Sequence, residues 1–455
     1  MITQNIFHVI KDPVHGTMQF TTEEDNWIKP FIDSPNFQRL RHIKQLGMGD
    51  YIFPGAVHTR FNHCLGCSYV ASQISRKVGL PDEERQLVII ACLLHDIGHG
   101  PFSHTFEDIF HNKMIRHEAW TPLFLADYST PEFFAIYNRR NPRFPLNEEK
   151  FRQIADMIMH KSSVEKRLAD IVSSQLDSDR LDYLLRDSHF CGVTYGQYDF
   201  RWMINCMIIV NSPQGERLGI THKGVGVVEH YLMARRLMTR NIYHYQKKLA
   251  LEFFLIQLLV NLAESIADFS TYESIKNTRL GKFLLQANAF NEIIKDTKNA
   301  ERHKQQFLSE NYKNYRELLD YDIFAVMKEL SDMNINHPAA LLAQRIQHRQ
   351  TPKVIRLENL DTQLAEQILT EFKNQNKSIQ DWQIAIIKNP HQSYSIEDDP
   401  IYVLDESGQV KPINEMSLMI NAISDKYENS AFLCIDTGIM QHAKLKAIIQ
   451  KLTIV

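Results

Sequence analysis

The chain has 455 residues, of which 44% are hydrophobic and 23% are charged, and its formal net charge is −3 at pH 7. This composition is typical of a globular protein, and the length is enough for a large core and more than one domain. The near-neutral charge gives no basis for non-specific nucleic-acid binding. No signal-peptide pattern opens the sequence, and no apolar stretch reaches the roughly 20 residues of a membrane-spanning helix. We therefore expect a cytoplasmic protein that uses no membrane.

A turn is expected at residues 12–16, and helical spacing of apolar residues follows around residues 62–78, 83–96, 148–160, 163–187 and 226–266. The last third favours short strands at residues 353–357, 382–387, 401–404 and 431–435, with a turn at 405–408. We predict a mainly α fold. A helical catalytic domain would span residues 1–270, and a C-terminal lobe of mixed α+β structure would span residues 271–455.

The six cysteines are too few for a disulfide framework in a chain of this length. Cys64 and Cys67 form a C-x-x-C pair without a second pair. We expect them to pack as small apolar residues on a helix rather than to bind zinc.

A strongly apolar helical stretch ends in a His-Asp pair, His95 and Asp96. At a helix end, two adjacent side chains can both reach an ion that lies off the terminus. Imidazole nitrogen and carboxylate oxygen together suit iron, manganese, nickel or zinc. Further ligands are offered by His63 upstream and by a carboxylate in the run of residues 176–187 downstream. Alone, each of these residues is more typical of a satisfied core histidine or a solvated acidic face.

Asp179 begins a series with four-residue spacing that continues at Tyr183 and Asp187. This spacing places the three polar side chains on one face of a helix. The leucines between them take the other side, so the pattern indicates a helix that lines a cleft.

Three longer runs carry a more specific signal: FQRLRHIKQLGMGDYIFPGAVHTRFNHCLG, LLHDIGHGPFSH and DSDRLDYLLRD. Together with the order His63, His95-Asp96 and Asp179, they resemble the deoxynucleoside triphosphate (dNTP) triphosphohydrolases of the HD superfamily, over roughly residues 8–250. Some members of that branch carry an N-terminal SAM domain. We expect none in this chain, which resembles the shorter bacterial type.

The resemblance implies hydrolysis of dNTPs to a deoxynucleoside and inorganic triphosphate. It implies one divalent metal, held by His63, His95, Asp96 and Asp179. The donor set leaves the metal open among Mn, Fe, Ni, Zn and Mg, and Mg is a further companion of bound nucleotide.

The resemblance also implies roles for side chains around the metal. The implied catalytic groups are a general acid and its two partners, His104, Glu107 and His117; the family has aspartate where Glu107 stands. The implied phosphate- and sugar-binding residues are Gln45, Arg60, His99, Arg180, Tyr183, Asp187, Arg235 and Tyr243. In the family, the tyrosine that matches Tyr183 crowds the 2′ position and the aspartate that matches Asp187 holds the 3′ hydroxyl. The family motif Tyr-x-His-Lys is not reproduced cleanly here, and its tyrosine matches either Tyr243 or Tyr245.

Animal members of the branch have a guanine-nucleotide activator site at an oligomer interface. The matching residues here are Val9, Lys11, Asp33, Gln38 and Arg41. His8 stands where those enzymes have a lysine, so the guanine-reading residues match better than the phosphate contacts. The alternative, that FQRLR forms a packed charged helix without a ligand, stays open. The implied partners are a dNTP substrate, a dGTP or GTP activator, and copies of the same chain in a homotetramer or homodimer.

Two other functions are compatible with the residues. The first is another HD phosphohydrolase, which acts on a nucleoside monophosphate, a cyclic nucleotide or an alarmone. The second is a regulator that binds nucleotide or nucleic acid and hydrolyses it only incidentally. Retention of His104 and His117 beside a full ligand set argues against the regulator, because a degenerate enzyme usually loses one of these groups.

Overall fold

The described chain begins with a β-hairpin formed by strands β1 (Val9–Asp12) and β2 (Gly16–Gln19). At its turn, Asp12 Oδ1 accepts hydrogen bonds from the backbone N–H groups of Val14 and His15, both at 2.9 Å. Gly16 has a φ of +68°, a backbone conformation that residues with a Cβ rarely adopt. The turn expected at residues 12–16 is confirmed. The computed structural model describes residues 9–267, 273–295, 299–357, 362–392, 394, 399–424, 427–442 and 444–454.

Helices follow the hairpin as far as residue 191. They are α1 (Thr22–Ile32), α2 (Pro35–Gln38), α3 (Arg60–Lys77), α4 (Asp82–Leu94), α5 (His104–Glu107), α6 (His117–Ala126), α7 (Pro131–Arg140), α8 (Glu148–Ile158), α9 (Lys166–Val172) and α10 (Ser178–Cys191). The helices expected around residues 62–78, 83–96 and 148–160 are confirmed as α3, α4 and α8. The segment expected at residues 163–187 is divided into α9 and α10. It breaks there because Asp177 caps α10, accepting a hydrogen bond from the Arg180 N–H at 2.7 Å.

Helix α4 lies at the centre of this part of the molecule. Its residues 87–94 are all buried, and α3, α8 and α9 pack around it. A helix that is apolar on all sides must be covered on all sides. The residues that directly follow it, His95 and Asp96, are therefore held inside the helical core rather than on an outer surface.

A pair of strands interrupts the helices, which the helical spacing of the sequence did not indicate. After α11 (Phe200–Cys206), the chain forms β3 (Met207–Ser212), β4 (Gly215–Thr221), α12 (Val225–Met238), a π-helical turn (Thr239–Tyr243) and α13 (Gln246–Ser265). The helical pattern expected over residues 226–266 is thus confirmed as two helices, and the π-helical turn lies between them.

Helices also continue well past residue 270. They are α14 (Glu273–Lys276), α15 (Arg279–Ile293), α16 (Ala300–Tyr315), α17 (Asp320–Asp332) and α18 (Pro338–Gln347). Buried residues of α13, α15 and α18 share one hydrophobic core with those of α3 and α4. The expected boundary near residue 270 falls at residues 268–272, outside the described residues, and the division into two domains stays a prediction. Among the described helices, none is long and apolar enough to cross a membrane.

The last part of the chain alternates strands and helices. These elements are β5 (Lys353–Leu357), α19 (Thr362–Gln375), β6 (Ile384–Gln392), β7 (Tyr402–Leu404), β8 (Val410–Pro412), α20 (Leu418–Ile423), β9 (Tyr427–Ile435) and α21 (Leu445–Ile454). The four expected strands are confirmed as β5, β6, β7 and β9. One antiparallel sheet has the order β5-β9-β6, and a second has the order β3-β4-β7-β8, in which β7 runs parallel to β4. The mainly α fold with a mixed C-terminal lobe is confirmed.

Candidate active site

Four polar side chains that the sequence placed together do meet in the structure. His63 lies in the first turn of α3, His95 and Asp96 follow α4, and Asp179 lies in the first turn of α10. His63 Nε2 is 2.9 Å from Asp179 Oδ1 and 3.7 Å from Asp96 Oδ2. His95 Nε2 is 3.5 Å from Asp96 Oδ1 and 3.6 Å from Asp179 Oδ1. Two imidazoles and two carboxylates therefore face one small volume.

The donor atoms of this cluster fit a divalent cation. His95 Nδ1 donates to the carbonyl oxygen of Cys92 at 2.8 Å, which leaves the lone pair of Nε2 facing the cluster. That buried Nε2 has no hydrogen-bond partner among the residues that the structure describes. Burial would lower the pKa of His63, but hydrogen bonds to Asp179 and Asp182 outweigh burial and raise it to about 10. The cluster thus favours positive charge, which a metal ion would supply.

A cysteine lies beside the cluster, one turn along α3. Cys67 Sγ is 3.5 Å from both ring nitrogens of His63. Burial, and then the charge of Asp182, raise the pKa of the Cys67 thiol well above its usual value. A protonated thiol is a poor metal ligand, so the nitrogen and oxygen donors are the better set. Cys64 and Cys67 are free and buried on α3, as expected from the sequence.

Arg60 and His99 lie on the side of the cluster nearest Asp96. The Arg60 guanidinium contacts the Asp96 carboxylate, and its Nε donates to Ser103 Oγ at 2.8 Å. His99 Nε2 is 3.3 Å from Asp96 Oδ1. Burial, and then the charge of Arg60, hold the pKa of His99 well below its usual value. His99 is therefore a neutral imidazole next to a fixed positive charge.

The three implied catalytic groups also lie together. Glu107 Oε1 is 2.7 Å from His117 Nδ1 and 3.4 Å from His104 Nδ1. The His99 and His117 rings stack with centroids 3.7 Å apart. Burial would raise the pKa of Glu107, but its contacts with His104 and His117 outweigh burial and hold that pKa well below its usual range. Glu107 is thus an ionised acceptor between two histidines.

The loop before α5 aims His104 outward. Phe102 and Ser103 have φ angles of +52° and +55°, which residues with a Cβ rarely adopt. Asp320 Oδ1 accepts a hydrogen bond from the Phe102 N–H at 2.7 Å, and this buried contact holds the loop. The His104 side chain is 68% exposed, whereas that of Glu107 is 10% exposed. The strained loop is therefore held in one position, from which the His104 imidazole projects into the cavity.

Tyr183, Asp187 and Tyr243 form the opposite corner. The Tyr243 hydroxyl donates to Asp187 Oδ2 at 2.9 Å, and His58 Nε2 donates to Asp187 Oδ1 at 2.7 Å. The Tyr183 and Tyr243 rings lie edge to face with centroids 5.9 Å apart. His58 was not expected from the sequence. It is 129 residues from Asp187 along the chain, so no local pattern could indicate the pair.

One cavity of about 760 Å³ joins these groups. The expected residues that line it are Gln45, Arg60, Asp96, His99, His104, His117, Asp179, Tyr183, Asp187 and Tyr243. His63, His95 and Glu107 lie behind this lining, in contact with its members. The cavity is also lined by residues that were not expected: two lysines, Lys113 and Lys248, and three residues of β6, Ile387, Lys388 and Asn389.

Arg180 and Arg235 do not line this cavity. Arg180 Nη1 donates to the Ser174 carbonyl at 2.7 Å and contacts the Asp177 carboxylate. Arg235 Nη1 donates to Gln175 Oε1 at 2.6 Å. Both guanidinium groups are held at the loop before α10, and their phosphate-binding roles stay predictions.

The residues matched to an activator site lie elsewhere. Val9 and Lys11 are on β1, and Asp33 caps the end of α1. Gln38 Oε1 accepts from Arg41 Nε at 2.7 Å, and the Arg41 guanidinium lies 3.5 Å from the Phe61 ring centroid. Gln38 lines a second cavity of about 720 Å³. His8 is outside the described residues, and nucleotide binding here stays a prediction.

Comparisons with known proteins agree with this geometry. The HD domain family matches residues 60–186, the part of the chain that holds His63, His95, Asp96 and Asp179. Uncharacterized protein YwfO of Bacillus subtilis (strain 168) is 37% identical over 257 residues, which are 55% of this chain and 55% of that protein. Deoxynucleoside triphosphate triphosphohydrolase SAMHD1 of Homo sapiens is 31% identical over 269 residues, which are 52% of this chain and 42% of that protein. The chain thus matches about half the length of these curated relatives.

A solved structure matches over nearly the whole chain. It is a crystal structure of a phosphohydrolase from Bacteroides thetaiotaomicron VPI-5482, 27% identical, with a TM-score of 0.72. The match covers 94% of this chain and 99% of that one. The likeness therefore includes the C-terminal lobe, where the sequence resemblance was weak.

Proposed function

The chain carries an HD domain and is homologous to the deoxynucleoside triphosphate triphosphohydrolases, and on this basis we propose that it hydrolyses dNTPs to deoxynucleoside and inorganic triphosphate with a divalent metal. One observation carries the proposal. A single cavity of about 760 Å³ joins the His63–Asp179 cluster, the histidines near Glu107 and the Tyr183–Asp187 corner. A nucleotide needs these three environments together, for its phosphates, its leaving oxygen and its sugar.

The metal would be held by His63, His95, Asp96 and Asp179. When bound, a divalent metal polarises phosphoryl oxygens and lowers the pKa of a bound water. Arg60 adds a fixed positive charge beside the same cluster. Neutral His99, which keeps a buried Nδ1 without a partner in the described part of the chain, can exchange hydrogen bonds with phosphate oxygens.

His104 is the proposed general acid. It projects into the cavity, so it can deliver a proton to the 5′ oxygen as the bond from that oxygen to the α-phosphorus breaks. Ionised Glu107, whose Oε1 lies 3.4 Å from His104 Nδ1, holds one side of this imidazole. His117 shares the same carboxylate and helps to fix its position.

The sugar would bind where α10 and the π-helical turn meet. The Asp187 carboxylate, already oriented by His58 and Tyr243, can accept a hydrogen bond from a 3′ hydroxyl. The Tyr183 ring lies one helical turn closer to Asp179 on the same face, where it would crowd a 2′ hydroxyl of a bound sugar. The proposal therefore takes deoxyribonucleotides as the substrate class.

Two further parts of the proposal, activation by dGTP or GTP and assembly into a homotetramer or homodimer, rest on the resemblance alone. A third part, a cytoplasmic location, was expected from the sequence pattern and not from the resemblance. Gel filtration with and without dGTP tests the first two. No shift in size and no gain in rate would contradict nucleotide activation.

The direct test is incubation of the purified protein with Mn²⁺ and an equimolar mixture of the four dNTPs, followed by ion-pair chromatography. Deoxynucleosides and intact triphosphate are expected from the wild type and not from Asp179→Ala, which lacks one cluster carboxylate. A nucleoside monophosphate or diphosphate as the main product would mean that a different bond is cut. No turnover, with or without dGTP, would favour another HD substrate or a binding role.

A further inference from the structure

The turn of the N-terminal hairpin reaches deep into the helical core. His15, between β1 and β2, has a side chain only 3% exposed, and its Nε2 donates to Asp182 Oδ1 at 2.7 Å. The rings of Tyr69 and Phe200 each lie 5.5 Å from the His15 ring and fix its plane. A hairpin at the surface would not need such a contact.

Asp182 is fully buried on α10 and accepts hydrogen bonds from three side chains. His63 Nδ1 donates to Oδ2 at 2.8 Å, and Arg186 donates from Nε to Oδ2 at 2.8 Å and from Nη2 to Oδ1 at 2.9 Å. With His15 on Oδ1, both carboxylate oxygens are saturated. The carboxylate therefore has one orientation, and His15 is one of the groups that set it.

The chain of contacts closes on the hairpin itself. Arg186 Nη1 donates to Asp12 Oδ2 at 2.8 Å, and Asp12 Oδ1 holds the turn through the N–H groups of Val14 and His15. Asp12, Arg186, Asp182 and His15 thus form a ring of contacts between the hairpin and α10. His63 is attached to this ring through Asp182.

The attachment determines which nitrogen of His63 is available. A histidine that donates its Nδ1 proton to a carboxylate carries its lone pair on Nε2. Nε2 is the atom that faces Asp179 and Asp96. A carboxylate behind a ligating histidine also makes the imidazole a stronger donor to a metal.

We propose that His15 and Asp182 are positioning residues of the metal site, so that the turn of the N-terminal hairpin sets metal affinity through His63. This inference rests on the metal binding in the proposed function and does not depend on the substrate. If the network had only a structural role, it would attach the hairpin to α10, and the loss of His15 would leave the metal affinity unchanged.

The test compares two substitutions of His15 in the full-length chain. His15→Phe keeps a flat ring and removes the donor, whereas His15→Gln keeps an amide N–H near the position of Nε2. The matched control is His58→Phe, which also removes a buried histidine that donates to an aspartate of α10, but one that pairs with Asp187 instead of Asp182. The measurement is the Kd for Mn²⁺ of metal-free protein, by calorimetry without nucleotide, together with the melting temperature in EDTA.

We expect His15→Phe to weaken Mn²⁺ binding by about 10–100-fold. His15→Gln and His58→Phe should stay within about threefold of the wild type, which is well below that range. An unchanged Kd in His15→Phe, or an equal loss in His15→Gln, would overturn the inference. A lower EDTA melting temperature with an unchanged Kd would show a structural role only. If the wild type itself bound no Mn²⁺, the inference and the metal in the proposed function would fail together. Failure to hydrolyse dNTPs, with Mn²⁺ bound as expected, would leave this inference standing.

Discussion

Glu107 contacts two histidines of this cavity, and it holds one of them more closely than the other. Its carboxylate accepts the backbone N–H of His117 at 3.2 Å as well as that residue's imidazole at 2.7 Å, while the exposed His104 is held less closely, at 3.4 Å. The tighter contact belongs to the more buried histidine. His104 therefore keeps the freedom to turn toward a substrate, and Glu107 and His117 form its fixed support.

The low pKa of Glu107 has a consequence for stability. A carboxyl whose pKa is depressed on folding contributes stability above its unfolded value, near 4.5, and loses it as pH falls further toward the folded value. Near neutral pH, Glu107→Gln should lower the free energy of unfolding by about 1–3 kcal/mol, since hydrogen bonds to a charged acceptor are lost. Thermal unfolding in EDTA at a series of pH values measures this. The gap between wild type and variant should be constant near neutrality and narrow below about pH 4.5. A gap that widens in acid would contradict it.

Residue patterns singled out His63, His95, Asp96 and Asp179 as the proposed metal ligands, because these residues lie in three motif runs. His15, His58 and Asp182 were not predicted, although His58 contacts Asp187 and Asp182 contacts His63. His15 and Asp182 are 167 positions apart, and His63 and Asp182 are 119 apart. Neither helical nor strand spacing relates positions at such distances. A single sequence therefore shows the groups of a candidate site more readily than the groups that orient them.

At the scale of elements, the close crossing of α3 and α10 depends on one glycine. A Cβ placed on Gly66 would lie 1.9 Å from Asp182 Oδ1 and 2.4 Å from Arg186 Nη2. No side chain fits there without displacing the carboxylate behind His63. The two helices that supply His63 and Asp179 can approach each other only because this position lacks a side chain.

Gly66→Ala should therefore destabilise the protein by about 1–3 kcal/mol, the usual cost of overpacking a core. The control is Gly226→Ala on α12, where a Cβ meets nothing within 4 Å. That substitution should be neutral or stabilising by up to about 1 kcal/mol, because alanine favours a helix over glycine. Urea unfolding of both variants measures the difference. Equal stabilities would show that α3 and α10 can separate without cost.

Long periodic helices were predictable from sequence, and short elements were less so. Helices α3, α4 and α8 carry apolar spacing over several turns, whereas the apolar start of β3 is too short to be distinguished from a helix. The π-helical turn that separates α12 from α13 was also not predictable, because the apolar residues keep their helical spacing on both sides of it. The structure of such short segments depends on pairing with distant parts of the chain. Strand β4, for example, pairs in parallel with β7, where Gly219 lies opposite Tyr402.

For the molecule as a whole, the C-terminal lobe takes part in the cavity. Ile387 on β6 lines it together with Phe253 and Ile256 of α13. The next residue back, Ile386, packs instead against the separate hydrophobic cluster of the lobe. Side chains alternate along a strand, so one strand serves both the lobe and the cavity.

Ile387→Ala should raise the KM for dNTPs by up to about tenfold, since a partly buried aliphatic contact to a substrate is worth little more than 1 kcal/mol. Ile386→Ala should lower the melting temperature and leave KM near the wild-type value. Steady-state kinetics with each of the four dNTPs measures both effects. If Ile387→Ala kept the wild-type KM for every base, the lobe would have no part in substrate binding.

The four clustered donors come from the starts of α3 and α10 and from the end of α4, which are brought together only by folding. An ion bound there acts as a cross-link between three helices that the unfolded chain cannot maintain. By mass action, each tenfold rise in free metal above its Kd would add about 1.4 kcal/mol to the free energy of unfolding. The lifetime of the folded protein in a cell would then depend on the supply of the metal, apart from any catalytic role that the metal has. Starvation for the metal would reduce the amount of protein and its activity together.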